Sequence, residues 1–268
     1  MNIIKEFEKN FANYTGNNYA IAVNSGTSAL WTALRACDVG PGDEVIVPAY
    51  TYPATANMVL AVGATPIFVD IDKDTYLMDE PNIYKKISMK TKAVIFVNLF
   101  GKELQDYRSD KLHEVLYSHD IKLIIDSAQC CKPNINYGDI QCFSFYRSKN
   151  FSCFEGGAIT TKDKKLYKRA GIFMNQGENG KYNTVELGFN FRMPDTSTLM
   201  INHQIMYHSI GGESELGRWG PQHGHYPKVV YEQELYKKLG YYKTYKGSCP
   251  VAEELAKKVK KGEFKNGK

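Results

Sequence analysis

Lys149 lies in the run Phe143-Ser144-Phe145-Tyr146-Arg147-Ser148-Lys149-Asn150, with Glu155-Gly156-Gly157 close behind. Upstream, the apolar stretch Leu123-Ile124-Ile125 leads into Asp126-Ser127-Ala128-Gln129. An acid ending a buried strand, and a lysine just past a second strand, are what a pyridoxal 5'-phosphate (PLP) site requires. The lysine holds the cofactor as a Schiff base, and the acid pairs with the pyridinium nitrogen and makes the ring an electron sink. A buried carboxylate needs a partner or its pKa rises. A pyridinium N–H would be that partner; capping the next helix is the structural alternative. A lysine buried among apolar groups loses basicity, which an imine-forming lysine exploits.

Two further stretches fit a flat, phosphorylated ligand. Ser25-Gly26-Thr27-Ser28 sits between a strand and a helix. A helix N-terminus offers free N–H groups and the positive end of a dipole, glycine allows close approach, and the hydroxyls add donors. The same residues also suit a plain N-cap. They are not a Walker A loop, since no Gly-Lys-Ser/Thr follows at the required spacing. Tyr50-Thr51-Tyr52 follows a strand ending at Pro48, where an aromatic can stack on a ring or simply fill the core. His223-Gly224-His225 lacks a third ligand and is read as no metal site.

The elements that must position these residues alternate regularly. Apolar strands are expected near 19–23, 44–47, 66–70, 92–97, 121–125, 140–145 and 157–160, and helices over 3–14, 26–37 and 53–62. Short apolar strands separated by helices predict βαβ units and a largely parallel sheet. Such a sheet binds ligands at the carboxyl ends of its strands. All four motifs fall there. Beyond residue 200 the pattern weakens: glycine-rich, aromatic residues 211–225 read as a long loop, with short helices at 231–239 and 252–259.

At 268 residues, 43% hydrophobic and 24% charged, the chain suits one large α/β domain with a small appendage. No apolar run approaches the roughly 20 residues of a membrane span. The N-terminus lacks the layout of a signal peptide, so the cytoplasm is expected. Six cysteines without C-x-x-C spacing read as reduced, mostly buried thiols. The net charge of +5 is weighted toward Lys257-Lys258-Val259-Lys260-Lys261 and the residues to 268, read as a solvated helix end rather than a nucleic-acid surface.

The order N-S-G-T-S-A-L, P-A-Y-T-Y-P-A-T-A-N, F-V-D-I-D, I-I-D-S-A-Q, F-S-F-x-x-x-K-N with E-G-G, and L-G-F-N-F-R-M resembles the DegT/DnrJ-type sugar aminotransferases over about residues 5–205. The resemblance implies a three-layer α/β/α fold of the aspartate aminotransferase type (fold type I). Residues 1–205 would form the PLP-binding large domain and 206–268 a reduced C-terminal domain. It implies that Lys149 carries the cofactor, Asp126 holds the pyridine nitrogen, Gln129 the ring hydroxyl, and Tyr52 stacks on the ring. Gly26, Thr27 and Ser144 would bind the phosphate. Asn190 would reach the phosphate of a partner, so a homodimer with shared sites is implied.

The implied reaction moves an amino group, from glutamate, to C4 or C3 of a nucleotide-diphosphate keto sugar, for polysaccharide or lipopolysaccharide synthesis. A non-catalytic PLP-binding or regulatory homologue is the alternative. A dehydrating variant is disfavoured, because some such members carry histidine where Lys149 stands. The chain also departs from the family. The sequence reads as lacking the usual N-terminal segment and most of the small domain, and Asn98-Leu99-Phe100-Gly101 stands where many members have His-Leu-Tyr-Gly. His225-Tyr226-Pro227 and Pro250-Val251-Ala252-Glu253 look like the family's late segments joined directly. These departures bear on substrate binding more than on cofactor binding.

Overall fold

The computed structural model describes residues 2–104, 110–209 and 226–263. The glycine-rich stretch 211–225, with His223 and His225, and the final lysines of the tail lie outside the described residues. Seven strands, β1 (Tyr19–Val23), β2 (Glu44–Pro48), β3 (Thr65–Val69), β4 (Thr91–Val97), β5 (Lys122–Asp126), β6 (Ile140–Ser144) and β7 (Gly157–Thr161), make one sheet. Their order is β1-β7-β6-β5-β4-β2-β3. The pairings among β2 to β6 are parallel, and β7 runs antiparallel to both neighbours. The largely parallel sheet read from the sequence therefore has one exception. Residues 145–156 link β6 to β7 and form no helix, so the chain returns as a hairpin rather than crossing over.

The strands are buried on both faces because helices cover both. Side chains alternate between two cores, as the period of a strand demands. Ala20, Ala22, Phe143 and Ala158 face one cluster, formed with Phe7 and Phe11 of α1 (Ile3–Thr15) and Ile201 and Ile205 of α7 (Asp195–Ser209). Ile21, Val23, Cys142 and Ile159 face the other, with Leu30 and Leu34 of α2 (Gly26–Ala36), Val59 of α3 (Ala54–Ala61) and Ala170 of α6 (Lys164–Met174). The Asn2 side chain caps α1, and Gly16, at φ 71°, ends it. Phe11 meets the rings of Phe143 and Phe145 edge-on, at 5.0 and 5.4 Å.

The sequence pattern did not mark α4 (Glu80–Lys86), α5 (Asp110–Ser118), α6, α7 or α9 (Tyr241–Tyr245). For α7 the physical reason is plain. Leu199, Met200, Met206 and Tyr207 are exposed while Ile201 and Ile205 are buried, so apolar residues lie on both faces and no single stripe stands out. The helix expected at 231–239 is divided into a 3₁₀ turn, Val230–Glu232, and α8 (Glu234–Lys238). The helix expected at 252–259 is α10 (Pro250–Lys260).

Residues 226–263 join the main core directly. Phe68 of β3 is ringed by Tyr231, Tyr236, Tyr241 and Tyr245, with centroids 5.2–6.0 Å away. Asp70, 6% exposed, directly follows that strand. Its carboxylate accepts the Val251 and Ala252 N–H groups at 3.0 and 2.8 Å, capping α10, and also that of Ile71 at 2.9 Å. All six cysteines are free, and all but Cys131 are fully buried. Among the described residues no helix is long and apolar enough to cross a membrane.

Candidate active site

The carboxyl ends of the parallel strands open into a cavity of about 680 Å³. Seven of the eight residues singled out by the sequence line it: Gly26, Thr27, Tyr52, Asp126, Gln129, Ser144 and Lys149. The eighth, Asn190, does not line it and lies exposed on the surface.

Asp126 is the last residue of β5, level with Val97 of β4 and Cys142 of β6, and is 5% exposed. Its Oδ2 accepts the Thr55 hydroxyl at 2.9 Å and its Oδ1 the Ala128 N–H at 3.1 Å. Burial raises its pKa; those two hydrogen bonds and the charge of Lys149 oppose the rise. Lys149 ends a tight turn in which its N–H donates to Tyr146 O at 2.8 Å. Buried Phe145, Phe151 and Cys153 clamp the hairpin on either side of it. Burial lowers the Lys149 pKa, and the neighbouring Asp126 carboxylate opposes this. Desolvation thus pushes acid and amine toward their neutral forms together.

Gln129 is fixed at both ends of its amide. Its Oε1 accepts the Phe100 N–H at 2.8 Å, and its Nε2 donates to the Tyr226 hydroxyl at 2.7 Å. One Nε2 hydrogen is left for a ligand. Phe100 reaches this position in a left-handed turn, φ 56°. Burial, and next the Asp126 charge, raise the Tyr226 pKa, so Tyr226 stays a neutral phenol.

At the other end, the first turn of α2 carries N–H groups with no intrahelical acceptor. The Ser25 hydroxyl takes the Ser28 N–H at 3.0 Å; Gly26 and Thr27 face the cavity, opposite Ser144. Gly26 is required by space, since a Cβ there would stand 2.8 Å from that of Ser144. Tyr52 is 61% exposed at the mouth, whereas Tyr50 is buried in the core, so only Tyr52 is placed to stack on a ligand. These groups fit PLP: a glycine cradle with N–H and hydroxyl donors, a desolvated carboxylate short of a cation, and a lysine of reduced basicity.

A family model described as the DegT/DnrJ/EryC1/StrS aminotransferase family matches residues 2–209. The chain belongs to this family. The GDP-perosamine synthase of Caulobacter vibrioides is 42% identical over 198 residues, which cover 71% of this chain and 53% of that protein. Among solved structures, DesV of Streptomyces venezuelae superposes with a TM-score of 0.83 at 28% identity, covering 96% of this chain and 82% of its own. The sugar aminotransferase Spr1654 of Streptococcus pneumoniae, in its PLP form, gives 0.81 at 26% identity, covering 95% and 84%. The fold is that of the family's fold type I enzymes. The chain spans about half the length of the curated relatives it matches.

Several residues that build the site were given no role by the sequence: Thr55, Tyr226, and the Phe100 backbone. Thr55 and Tyr226 belong to the family-like stretches P-A-Y-T-Y-P-A-T-A-N and H-Y-P, and that was the available signal. Asn190 sits between Phe189 and Phe191, whose rings meet Trp31 at 4.9 and 5.6 Å. The Phe191 carbonyl accepts the Asn24 N–H at 2.8 Å, one residue before the Ser25 cap. Phe191 packs against the core while Phe189 and Asn190 are exposed.

Proposed function

We propose that this chain is a PLP-dependent aminotransferase that passes an amino group, taken from glutamate, to C4 or C3 of a nucleotide-diphosphate keto sugar. The observation that carries the reading is the convergence of Lys149, Asp126, Gln129, Gly26, Thr27 and Ser144 on one cavity in a chain of this family. PLP bound there would supply an electron sink for a carbanion next to nitrogen. Lys149 Nζ, its basicity lowered by burial, would carry the proton between the amino donor's α-carbon and the cofactor. Asp126, held by Thr55 and Ala128, would keep the ring nitrogen protonated. The Gln129 Nε2 would hold the ring hydroxyl, Tyr52 would cover the ring face, and Gly26, Thr27 and Ser144 would hold the phosphate.

We place the enzyme in a homodimer, with Asn190 completing the partner's phosphate site. Asn190 is exposed, and Tyr182 and Leu187, shortly before it in the chain, are 85% and 72% exposed, which supports an interface there. Residues 1–205 would serve as the cofactor domain, and the following residues would close the substrate side. Six free thiols suit a reducing cytoplasm. The product would be an amino sugar for polysaccharide, including lipopolysaccharide. The test uses the full chain with added PLP. Borohydride should fix the cofactor to Lys149, located by peptide mass, and glutamate should yield 2-oxoglutarate while the absorbance moves to shorter wavelength. PLP uptake without 2-oxoglutarate would instead leave a non-catalytic binder; no uptake overturns the proposal.

A further inference from the structure

Four charged side chains line the cavity among the described residues: Asp126, Glu155, Lys149 and Lys228. Asp126 and Lys149 are committed to the cofactor in the function proposed above. A ligand that brings further phosphates therefore meets one remaining cation in the cavity wall, Lys228, and one carboxylate, Glu155, which repels it.

Lys228 is held in place by its neighbours. Two residues before it, the Tyr226 hydroxyl is tied to Gln129 at 2.7 Å. Two residues after it, the Val230 N–H donates to Ala49 O at the end of β2 at 2.9 Å. Pro227 stiffens the interval, and Val229, Val230 and Tyr231 are fully buried. The half-buried Lys228 side chain projects from this strap into the cavity wall. Glu234, an acid near Lys228, is taken by Lys237 at 2.9 Å. Gln233 lines the same cavity half-buried, its backbone pinned to Val230 O at 3.0 Å.

We propose that Lys228, assisted by the Gln233 amide, is the diphosphate-reading residue of the sugar-nucleotide site. The inference rests on the function proposed above. Bound there, the diphosphate would meet Lys228 and Gln233 in the cavity wall and the sugar would enter the cavity that Lys149 also lines. The site would favour a nucleoside diphosphate over a monophosphate, which brings less negative charge to Lys228.

Calorimetry on the full chain saturated with PLP tests this, using UDP, GDP, dTDP and the corresponding monophosphates at two salt concentrations. At least one diphosphate should bind, more weakly at high salt. Lys228→Gln should weaken it about ten- to a hundredfold, the loss of a charged hydrogen bond, and flatten the salt dependence, with the monophosphate affected less. Lys228→Arg should restore most of the affinity, and Gln233→Ala should cost less than Lys228→Gln. The PLP absorbance of Lys228→Gln should match the parent, showing an intact fold and floor. Equal diphosphate affinity in parent and Lys228→Gln overturns the assignment. If PLP is taken up but no diphosphate binds, this inference fails alone. If PLP itself is not taken up, the function proposed above has failed first.

Discussion

The floor and the rim of the cavity are built differently. On the floor, the described polar groups are tied to protein partners. Asp126 is held by Thr55 and Ala128, and Gln129 by Phe100 and Tyr226. At the rim, Tyr52 is exposed, and Lys228 and Gln233 line the wall on a strap anchored through its backbone. A preorganised floor suits a resident group with fixed electronics, because the donors pay no reorganisation cost when it acts. A rim of exposed and half-buried side chains suits a ligand that comes and goes. The same polypeptide segment serves both, since Tyr226 completes the floor and Lys228 stands at the rim.

The comparison breaks most visibly at Lys149. Lys149→Ala removes the proposed proton carrier from the floor and leaves the rim intact. Turnover with glutamate and keto sugar should fall by about two to four orders of magnitude. Cofactor should still bind, now without covalent attachment, so borohydride should fix nothing. Calorimetry with a nucleoside diphosphate should read nearly as in the parent. A loss of diphosphate binding as large as the loss of turnover would show that floor and rim are one unit.

Asn190 would extend the comparison across the proposed subunit boundary. Losing a hydrogen bond to a charged phosphate costs about 1.5–3 kcal/mol, roughly ten- to a hundredfold in affinity. Asn190→Ala should weaken PLP by that factor with little change in melting temperature. PLP affinity of the parent should rise with protein concentration, because the ligand favours the assembled form. Sedimentation with and without PLP decides the matter: a strict monomer that binds PLP tightly refutes a shared floor.

Most of the floor was legible in the sequence; at the rim Tyr52 was, and Lys228 and Gln233 were not. Asp126 and Lys149 announce themselves because an acid or a lysine adjoining an apolar strand is costly unless it has work to do. Ser25-Gly26-Thr27 is marked by local helix-start chemistry. By contrast, Tyr226 and Lys228 lie far along the chain from Asp126, in a stretch with neither strand nor helix period. Only the fold brings the Tyr226 hydroxyl to Gln129. For the same reason the strands were placed to within a residue or so, while α7, apolar on both faces, went unmarked. The antiparallel turn of β7 depends on hairpin length, which apolar runs alone do not specify.

Asp70 tests whether the rim depends on the C-terminal staple. Its buried carboxylate accepts three backbone N–H groups, two of them at the N-terminus of α10. Asp70→Ala leaves these donors without their acceptor and removes a favourable charge from the helix dipole, a loss of about 2 kcal/mol. Urea unfolding should show it as a lower midpoint. Hydrogen exchange should rise first in α10 and the strap around Lys228, while Ala128 and Ser127 at the floor stay protected. Uniform loss of protection would mean that the two regions unfold together.

The smallest expected effect sharpens the floor itself and is read as a pH slope. The Asp126 pKa is raised in the folded protein, chiefly by burial. Between the ordinary carboxylate value of 3.8 and that raised value, the folded state holds the proton more than the unfolded state does. Stability without cofactor therefore falls as pH rises through this window, opposite to a carboxylate stabilised by a salt bridge. One proton limits the slope to about 1.4 kcal/mol per pH unit. Asp126→Asn removes the titrating group, so the difference between the two urea midpoints, followed from pH 4 upward, isolates its contribution. Parent and variant should converge at the acid end, with the variant gaining as pH rises. Saturating PLP should remove the parent's deficit, because a protonated ring nitrogen supplies the partner that the buried carboxylate needs. A parent that gains stability with pH relative to Asp126→Asn would mean that Thr55, Ala128 and Lys149 already outweigh desolvation, leaving the floor complete without a ligand.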